Sequence, residues 1–552
     1  MSTSAVPPHA PAEAPPPAEA PPPADSTTGR HDASHPRWTL AVVCAAVFML
    51  LLDVTIVSVA LADLQKDLSA SLSSLQWVVD AYTLTLAGGL LTAATLGDRI
   101  GRRRIFAAGL TVFTAASLAC ALATGIGQLD AFRAVQGVGA ALLFGAALPL
   151  LGAAFPDPAA RTRAIGAFGA TLAAATAVGP LIGGALVSGP GWRWIFLINV
   201  PVGVLTLLAL TRVPESRPAG ARRADWTGTV LLTGALLTLL LALIRGNDDG
   251  WTSAPILGLL AAAAVLLAGF CTWEARTPEP MLDLHLFARP AFTGVALQAF
   301  AVSGTIIAAT YLLALYLQTT MGLSPFDSGV RVLPLTLVAF VTAPVTAALL
   351  RRTGTSVPLV AGLVAAGAGL LLATRVTASS DWTVFVPGFV LAGIGLGIGS
   401  ASSPAAALAT VEPARAGMAT GAVNTLRQVG TAAGVATVGA VFQHVATSRT
   451  TDLLATGPLR VASAADRARL ADAVGSGAGV RVASAVPPAV RTAVADVARR
   501  ASTDALDTVL LGTGVGALVA AVLVAALLRL GRGDTATGAP APAQAPLLEP
   551  AL

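Results

Sequence analysis

Charged residues are the scarcest class in this 552-residue chain. Asp, Glu, Lys and Arg together make 11% of it, where soluble domains carry about 25%. Lys66 is the only lysine. The formal net charge of +5 comes from arginines gathered beside the ends of apolar runs, a placement that argues against a nucleic-acid partner. Cysteine is equally sparse. Cys44, Cys120 and Cys271 each sit in an apolar stretch, lack metal-site spacing and give no sign of a disulfide framework. The five histidines are scattered, so no metal and no cofactor is expected. No nucleophile–base pairing or phosphate-binding loop stands out, which excludes a soluble enzyme. The first residues also lack the basic start and short apolar core of a signal peptide. Segment 1–37, with Pro15-Pro16-Pro17 and Pro21-Pro22-Pro23, reads as a disordered Pro/Ala-rich tail. Segment 533–552 reads the same way.

Apolar length is what the chain has in abundance. It is 55% hydrophobic, with a mean hydropathy of +0.75. A helix needs about 20 apolar residues to cross a bilayer. That rule predicts an all-α polytopic membrane protein with about fourteen transmembrane helices. They fall near 38–61, 76–97, 104–124, 128–151, 164–187, 194–212, 227–245, 253–273, 292–317, 329–350, 356–375, 383–408, 418–443 and 506–529. Arg99, Arg102, Arg103 and Arg104 follow the second span. Arg161 and Arg163 follow the fourth, Arg212 and Arg217 the sixth, and Arg351 and Arg352 the tenth. All these connections fall on one side, cytoplasmic by the positive-inside rule, so both termini are expected there. The segment 446–503 is expected as a long extracellular loop. Leu96-Gly97-Asp98-Arg99-Ile100-Gly101 is faintly repeated in Leu349-Leu350-Arg351-Arg352-Thr353-Gly354, and repeated halves are usual in secondary transporters.

Few charges lie inside the spans, and each one there asks for a reason. Asp53 is embedded in Leu51-Leu52-Asp53-Val54-Thr55-Ile56. A charge at the bilayer centre costs about 2.5–3.5 kcal/mol on insertion scales, and Asp is too short to snorkel far. Arg133, inside the fourth span, needs an acid or carbonyl partner. At 1.5 Å per residue Asp53 lies roughly 22 Å from Trp38, and Asp80 and Arg133 lie roughly 6–8 Å from the opposite surface. In a hydrocarbon core about 30 Å thick the three fall near one level. A movement that alters the Asp53–Arg133 distance would let the carboxylate bind and release a proton. Asp53 is therefore expected as the principal proton-coupling site, in contact with Arg133 and Asp80.

Several runs resemble one family. Ala94-Thr95-Leu96-Gly97-Asp98-Arg99-Ile100-Gly101-Arg102-Arg103-Arg104 resembles the signature loop of the major facilitator superfamily, with Ala94 in place of the usual first glycine. There the loop is a conformational latch, a role the resemblance extends to Asp98, Arg99, Gly101 and Arg102. The run around Arg133, with Gly137 and Gly139, is similar to a second motif, in which the arginine is linked to proton transfer. Gly179-Pro180-Leu181-Ile182-Gly183-Gly184 resembles the antiporter motif of the exporters, carried by Gly179, Pro180, Gly183 and Gly184. The Asp53 run resembles the first-helix motif of the fourteen-spanner drug:proton antiporters, although Ser58 and Ala62 replace the usual Asn and Pro. Trp192 to Gly203, and Gly417 to Gly434 with Asn424, Arg427 and Gln428, also look like that family.

The resemblance implies a major facilitator fold: an N-terminal six-helix bundle at 38–212, an inserted helix pair at 213–290 and a C-terminal six-helix bundle at 291–532. It implies proton-driven export of an amphiphilic small molecule, often cationic or aromatic, across the plasma membrane. The partners are then the substrate, protons and the lipid bilayer. Tyr82, Tyr311, Tyr316 and Gln318 are candidate substrate contacts, although packing or interface anchoring explains any one of them as well. A nutrient symporter and a non-transporting membrane receptor are the alternatives.

Overall fold

The computed structural model describes residues 35–537, apart from 71, 218–224, 279, 375, 378, 413–414, 457–462, 478 and 480–485. The expected tail at 1–37 therefore lies almost wholly outside the described residues, as does most of 533–552. Among the described residues every regular element is a helix. In chain order these are α1 (His35–Asp67), α2 (Leu72–Ile100), α3 (Arg102–Ala121), α4 (Ile126–Ala154), α5 (Pro158–Ser188), α6 (Trp194–Leu197) and α7 (Asn199–Leu210). Then follow α8 (Trp226–Asp249), α9 (Ala254–Glu274), α10 (His285–Ala288), α11 (Pro290–Val302) and α12 (Ala308–Thr319). The last are α13 (Pro325–Thr353), α14 (Ser356–Leu372), α15 (Val386–Ala409), α16 (Ala416–Thr456), α17 (Ala464–Gly475) and α18 (Pro488–Thr537).

Among the described residues eleven helices are long and apolar enough to cross a membrane, and Trp194–Leu210 and Ser356–Leu372 are shorter apolar helices. Their outer faces suit lipid. Leu205 and Leu208 on α7, Leu257 and Val265 on α9, and Val519 and Val522 on α18 are all exposed. So much apolar surface is stable only where the solvent is itself apolar.

The helices gather in two groups. α1 packs on α5, and α4 packs on α2 and α3; in the second group α15 packs on α13 and α14, and α18 on α11, α14 and α16. α8 and α9 pair with each other, and α8 leans on α2 and α16. The groups meet where α2 touches α16 and where α5 touches α13 and α15. The faint sequence repeat has a structural counterpart. Gly101 closes α2 with φ 127 and Gly354 closes α13 with φ 70, so both copies use a glycine where the chain turns through a left-handed conformation.

The described residues of segment 446–503 are largely helical. α16 runs on to Thr456, the Ser463 hydroxyl caps α17 by accepting from Asp466 N–H, and α18 begins at Pro488. The reason is an apolar stripe. Leu470, Ala471 and Val474 of α17 are buried, and Leu470 and Val474 join the core that also holds Val497, Leu506 and Leu510. A π-helical turn, Ser303–Ile307, separates α11 from α12, and there Gly304 meets Gly430 and Gly434 of α16 backbone to backbone.

Candidate functional site

Four helices bring polar side chains to one dry point. Asp53 from α1 and Arg133 from α4 are each 1% exposed. The Arg133 Nη1 lies 2.5 Å from Asp53 Oδ2. The other carboxylate oxygen, Oδ1, accepts from Gln136 Nε2 at 3.0 Å and from Asn199 Nδ2 at 2.9 Å. Arg133 also donates through Nη1 to Gln136 Oε1 at 2.8 Å and through Nε to the Val78 carbonyl at 2.9 Å. Ser117 of α3 accepts from both Gln136 and Asn199 and donates to the Phe196 carbonyl. A buried charge pair is tolerated only when its remaining hydrogen-bonding capacity is also met. Here two amide donors, from Gln136 and Asn199, and two acceptors, the Gln136 oxygen and the Val78 carbonyl, meet most of it.

Local sequence explains the convergence. At Gly137 a Cβ would fall 2.1 Å from Thr85 Oγ1 and 2.4 Å from the Tyr82 carbonyl. Only the missing side chain lets α2 come this close to α4, where Thr85 Oγ1 donates to the Ala134 carbonyl at 2.9 Å. That approach lays the Tyr82 ring 4.2 Å from the Arg133 guanidinium carbon. The Tyr82 hydroxyl is buried and has no hydrogen-bond partner among the described residues. On the other side, a Cβ at Gly179 of α5 would fall 1.9 Å from Thr55 Oγ1, and one at Gly183 would touch Ile56. So the glycines of the antiporter-like run seat α5 on α1 directly beside Asp53. Gly184 is half-buried, and Pro180 lies in the same helix.

A second polar cluster closes the end of the molecule that carries the arginine-rich connections. Arg102 holds Asp98 through Nε at 2.9 Å and Nη2 at 2.8 Å, and its Nη1 reaches the Pro149 carbonyl at 3.2 Å. Asp98 also accepts from the backbone N–H groups of Gly417 and Met418, at the start of α16. An acid at a helix N-terminus meets free N–H groups and the positive end of the dipole. Gly417 is required there, since a Cβ would sit 2.2 Å from Asp98 Oδ2. Gly101 leaves room for Glu215, which accepts from Arg103 N–H at 3.0 Å. Arg99 lies half-buried in the last turn of α2. Asp283, between α9 and α10, pairs with Arg415 at 2.7 Å and ties the inserted helices to the same place.

At the far end of α1, Asp67 accepts from Trp192 Nε1 at 2.9 Å and from Arg193 Nη1 at 2.8 Å. These two donors, Trp192 first, hold its carboxyl below the usual carboxylate range.

The remaining expected residues do not converge. Asp80 is half-buried on α2, while the hydrogen bonds that hold Asp53 come from Arg133, Gln136 and Asn199. Tyr82 belongs to the Arg133 cluster. Tyr311 is 59% exposed on α12. Tyr316 bonds Thr503 of α18 at 2.8 Å and packs edge-on to Phe385, in the core of the second group. Gln318 is half-buried at the end of α12. A cavity of about 480 Å³ lies elsewhere, between α1, α5 and α13, lined by Phe48, Ala170, Phe340 and Pro344 with Arg163 as its charged group. Sequence reasoning passed over Gln136, Asn199 and Ser117. Gln136 could have been found, since it lies three residues after Arg133 on the same helical face. Asn199 sat inside a quoted run. Ser117 carried no signal, because a serine in a membrane helix is common.

The comparisons with known proteins agree with one another. The family pattern described as Major Facilitator Superfamily matches residues 43–435. The methylenomycin A resistance protein of Streptomyces coelicolor is 37% identical over 403 residues, covering 73% of this chain and 85% of the relative. The tetracenomycin C resistance and export protein of Streptomyces glaucescens is 37% identical over 406 residues, covering 73% and 75%. Among solved structures, the human organic anion transporter MFSD10 (TETRAN) superposes with a TM-score of 0.56 at 13% identity, covering 89% of this chain and 99% of that one. With the family pattern spanning most of the helical region and relatives at this identity, the chain belongs to the major facilitator superfamily of membrane transporters.

Proposed function

We propose that this chain is a proton-driven antiporter that exports amphiphilic small molecules, drugs or antibiotics among them, across the plasma membrane. The observation that carries the reading is the Asp53–Arg133 pair, an acid and a base held at 2.5 Å in a dry site on separate helices. A pair spread over α1 and α4 separates when those helices move, and the carboxylate can then take a proton. The names of the relatives, which speak of resistance and export, support the direction of transport. Asp53 is the coupling residue in this reading, with Arg133 as its counter-charge and Asp80 as a further acid on the proton path. Asp98, Arg99, Gly101 and Arg102 form the latch. Gly179, Pro180, Gly183 and Gly184 keep α5 moving with α1.

The fourteen-span architecture belongs to the same proposal. In this reading the eleven long apolar helices, the two shorter ones and α5 are the fourteen crossings. An even number leaves both termini beside the arginine-rich connections, on the cytoplasmic side. Residues 38–212 and 291–532 are then the two bundles, with 213–290 the inserted pair between them. The driving force is adequate. One proton crossing about 100 mV releases about 2.3 kcal/mol, enough for a roughly fifty-fold gradient of a neutral compound.

The test uses the full chain in proteoliposomes with an imposed proton gradient and a panel of amphiphilic fluorescent drugs. Wild type is expected to move at least one of them against its gradient and to release protons as it does so. Asp53→Asn should bind the same compound without gradient-driven transport. Full proton-driven transport by Asp53→Asn would remove Asp53 from the coupling.

A further inference from the structure

Arg427 of α16 is a charge without a counter-charge. Its guanidinium makes no hydrogen bond or ion pair among the described residues, although its backbone carbonyl accepts from Thr431. Its depth follows from the latch: Gly417 marks the level of Asp98, and ten residues further along the helix Arg427 lies roughly 15 Å into the membrane. That is about the middle of the hydrocarbon core. An arginine at such depth requires something to take up its charge.

The faces of α16 locate it further. Gly417 and Gly421 meet Asp98, Leu91 and Ala94 of α2, while Gly430 and Gly434 meet Phe300 of α11 and Gly304 of the π-turn. At 3.6 residues per turn, Arg427 falls between those two faces, on the side where the halves of the molecule confront each other. Thr420, Asn424 and Thr431 share that side, seven and three residues before it and four after. Arg427 is half-buried there.

Among the described residues no acid pairs with it. Asp53 is engaged by Arg133, Gln136 and Asn199, and Asp98 by Arg102 and the start of α16. Asp80 lies eighteen residues along α2 from Asp98, roughly 27 Å from the latch and so about 12 Å beyond Arg427. The helices α11, α12, α14 and α15 contain no charged residue.

We infer that Arg427 is the specificity-determining contact of this transporter, and that the compound it exports carries an anionic oxygen group such as a carboxylate, a sulfonate or an ionised phenol. The planar guanidinium receives such a group through two parallel hydrogen bonds. A cationic compound would meet uncompensated positive charge at the same place. The inference rests on the exporter reading for the direction of transport, not for the existence of the site.

The full chain in detergent is titrated with fluorescein and rhodamine 123, which share a ring system and carry opposite charge, with fluorescence anisotropy as the readout. Wild type should bind fluorescein saturably and more tightly than rhodamine 123. Arg427→Gln should weaken fluorescein binding by about tenfold or more while leaving rhodamine 123 unchanged or tighter, at a native melting temperature. Arg427→Lys should bind fluorescein with intermediate affinity, and this comparison decides the matter if the glutamine variant does not fold. Absent fluorescein binding by wild type, or an equal loss of both dyes in a folded variant, would overturn the inference, the second outcome making Arg427 a gating residue. Proteoliposomes separate the two readings. Fluorescein bound but never moved would sink the exporter reading and leave the anion site. Rhodamine 123 moved with fluorescein unbound would do the reverse.

Discussion

Asp53 and Arg133 show how much depends on a pair rather than on either member. Together they are dry and almost fully hydrogen-bonded. Removing one leaves the other charged in a site built to exclude water, which typically costs roughly 3–5 kcal/mol. Arg133→Leu should therefore lower the melting temperature of the purified protein sharply. The double variant Asp53→Leu with Arg133→Leu should recover most of that loss, because two apolar residues leave no stranded charge. Additive losses in this thermodynamic cycle would mean that the pair contributes no coupling. The acid and the base could both be read from the sequence, since charges inside apolar spans are rare. Their amide and hydroxyl partners could not: Gln136, Asn199 and Ser117 are uncharged and come from three helices.

Among the elements, the glycines decide how closely the helices meet. Gly137→Ala puts a methyl group within 2.4 Å of both Thr85 Oγ1 and the Tyr82 carbonyl. Overpacking of this kind costs about 1–3 kcal/mol, and it also lifts Tyr82 off Arg133. Thermal unfolding should register the loss, and a melting curve equal to wild type would show that α2 and α4 can part without cost. The Asp67 contact ties the end of α1 to the Trp192–Arg193 corner. Hydrogen bonds from Trp192 and Arg193 depress the folded-state carboxyl, so its contribution exists at pH values above the ordinary carboxylate range and is lost as pH falls through the depressed folded value. Asp67→Asn should therefore melt below wild type near neutral pH, by a small margin because the pair is about half exposed. The two curves should merge in acid. A gap that widens as pH falls would contradict this assignment.

Across the whole molecule, the latch joins parts that are far apart in the chain. Asp98 of one half takes the start of α16 from the other, Asp283 holds Arg415 beside it, and Ala405 and Leu408 of α15 pack against the first group's core. The end carrying the arginine-rich connections is thus bridged between the two groups in this structure. Asp98→Asn keeps the size of the side chain and removes the charge that faces those N–H groups. A cysteine at Leu408, with Cys44, Cys120 and Cys271 replaced, should then be alkylated about tenfold faster, the shift expected from losing a charge-assisted contact. An unchanged rate at normal expression would reduce the loop to a topogenic role.

The sequence alone determined that the chain crosses a membrane many times, and it carried the family motifs. It also marked which charges lie inside the spans. Those properties are local: apolar length, the position of arginines beside span ends and short motifs are all read along the chain. Even the repeated halves left a trace at Gly101 and Gly354. The helices within 446–503 were not legible in the sequence because its apolar stripe is short and becomes meaningful only once α16 and α18 stand beside it. It grouped Tyr82, Tyr311, Tyr316 and Gln318 by residue type, while packing sends them to different places. Tertiary structure alone decided which amides hold Asp53, that Gly417 must be bare to admit Asp98, and that the Arg427 guanidinium has no partner among the described residues. Each of these depends on the distance between helices that are remote in the chain, and that distance is set by packing between their faces rather than by any one of them.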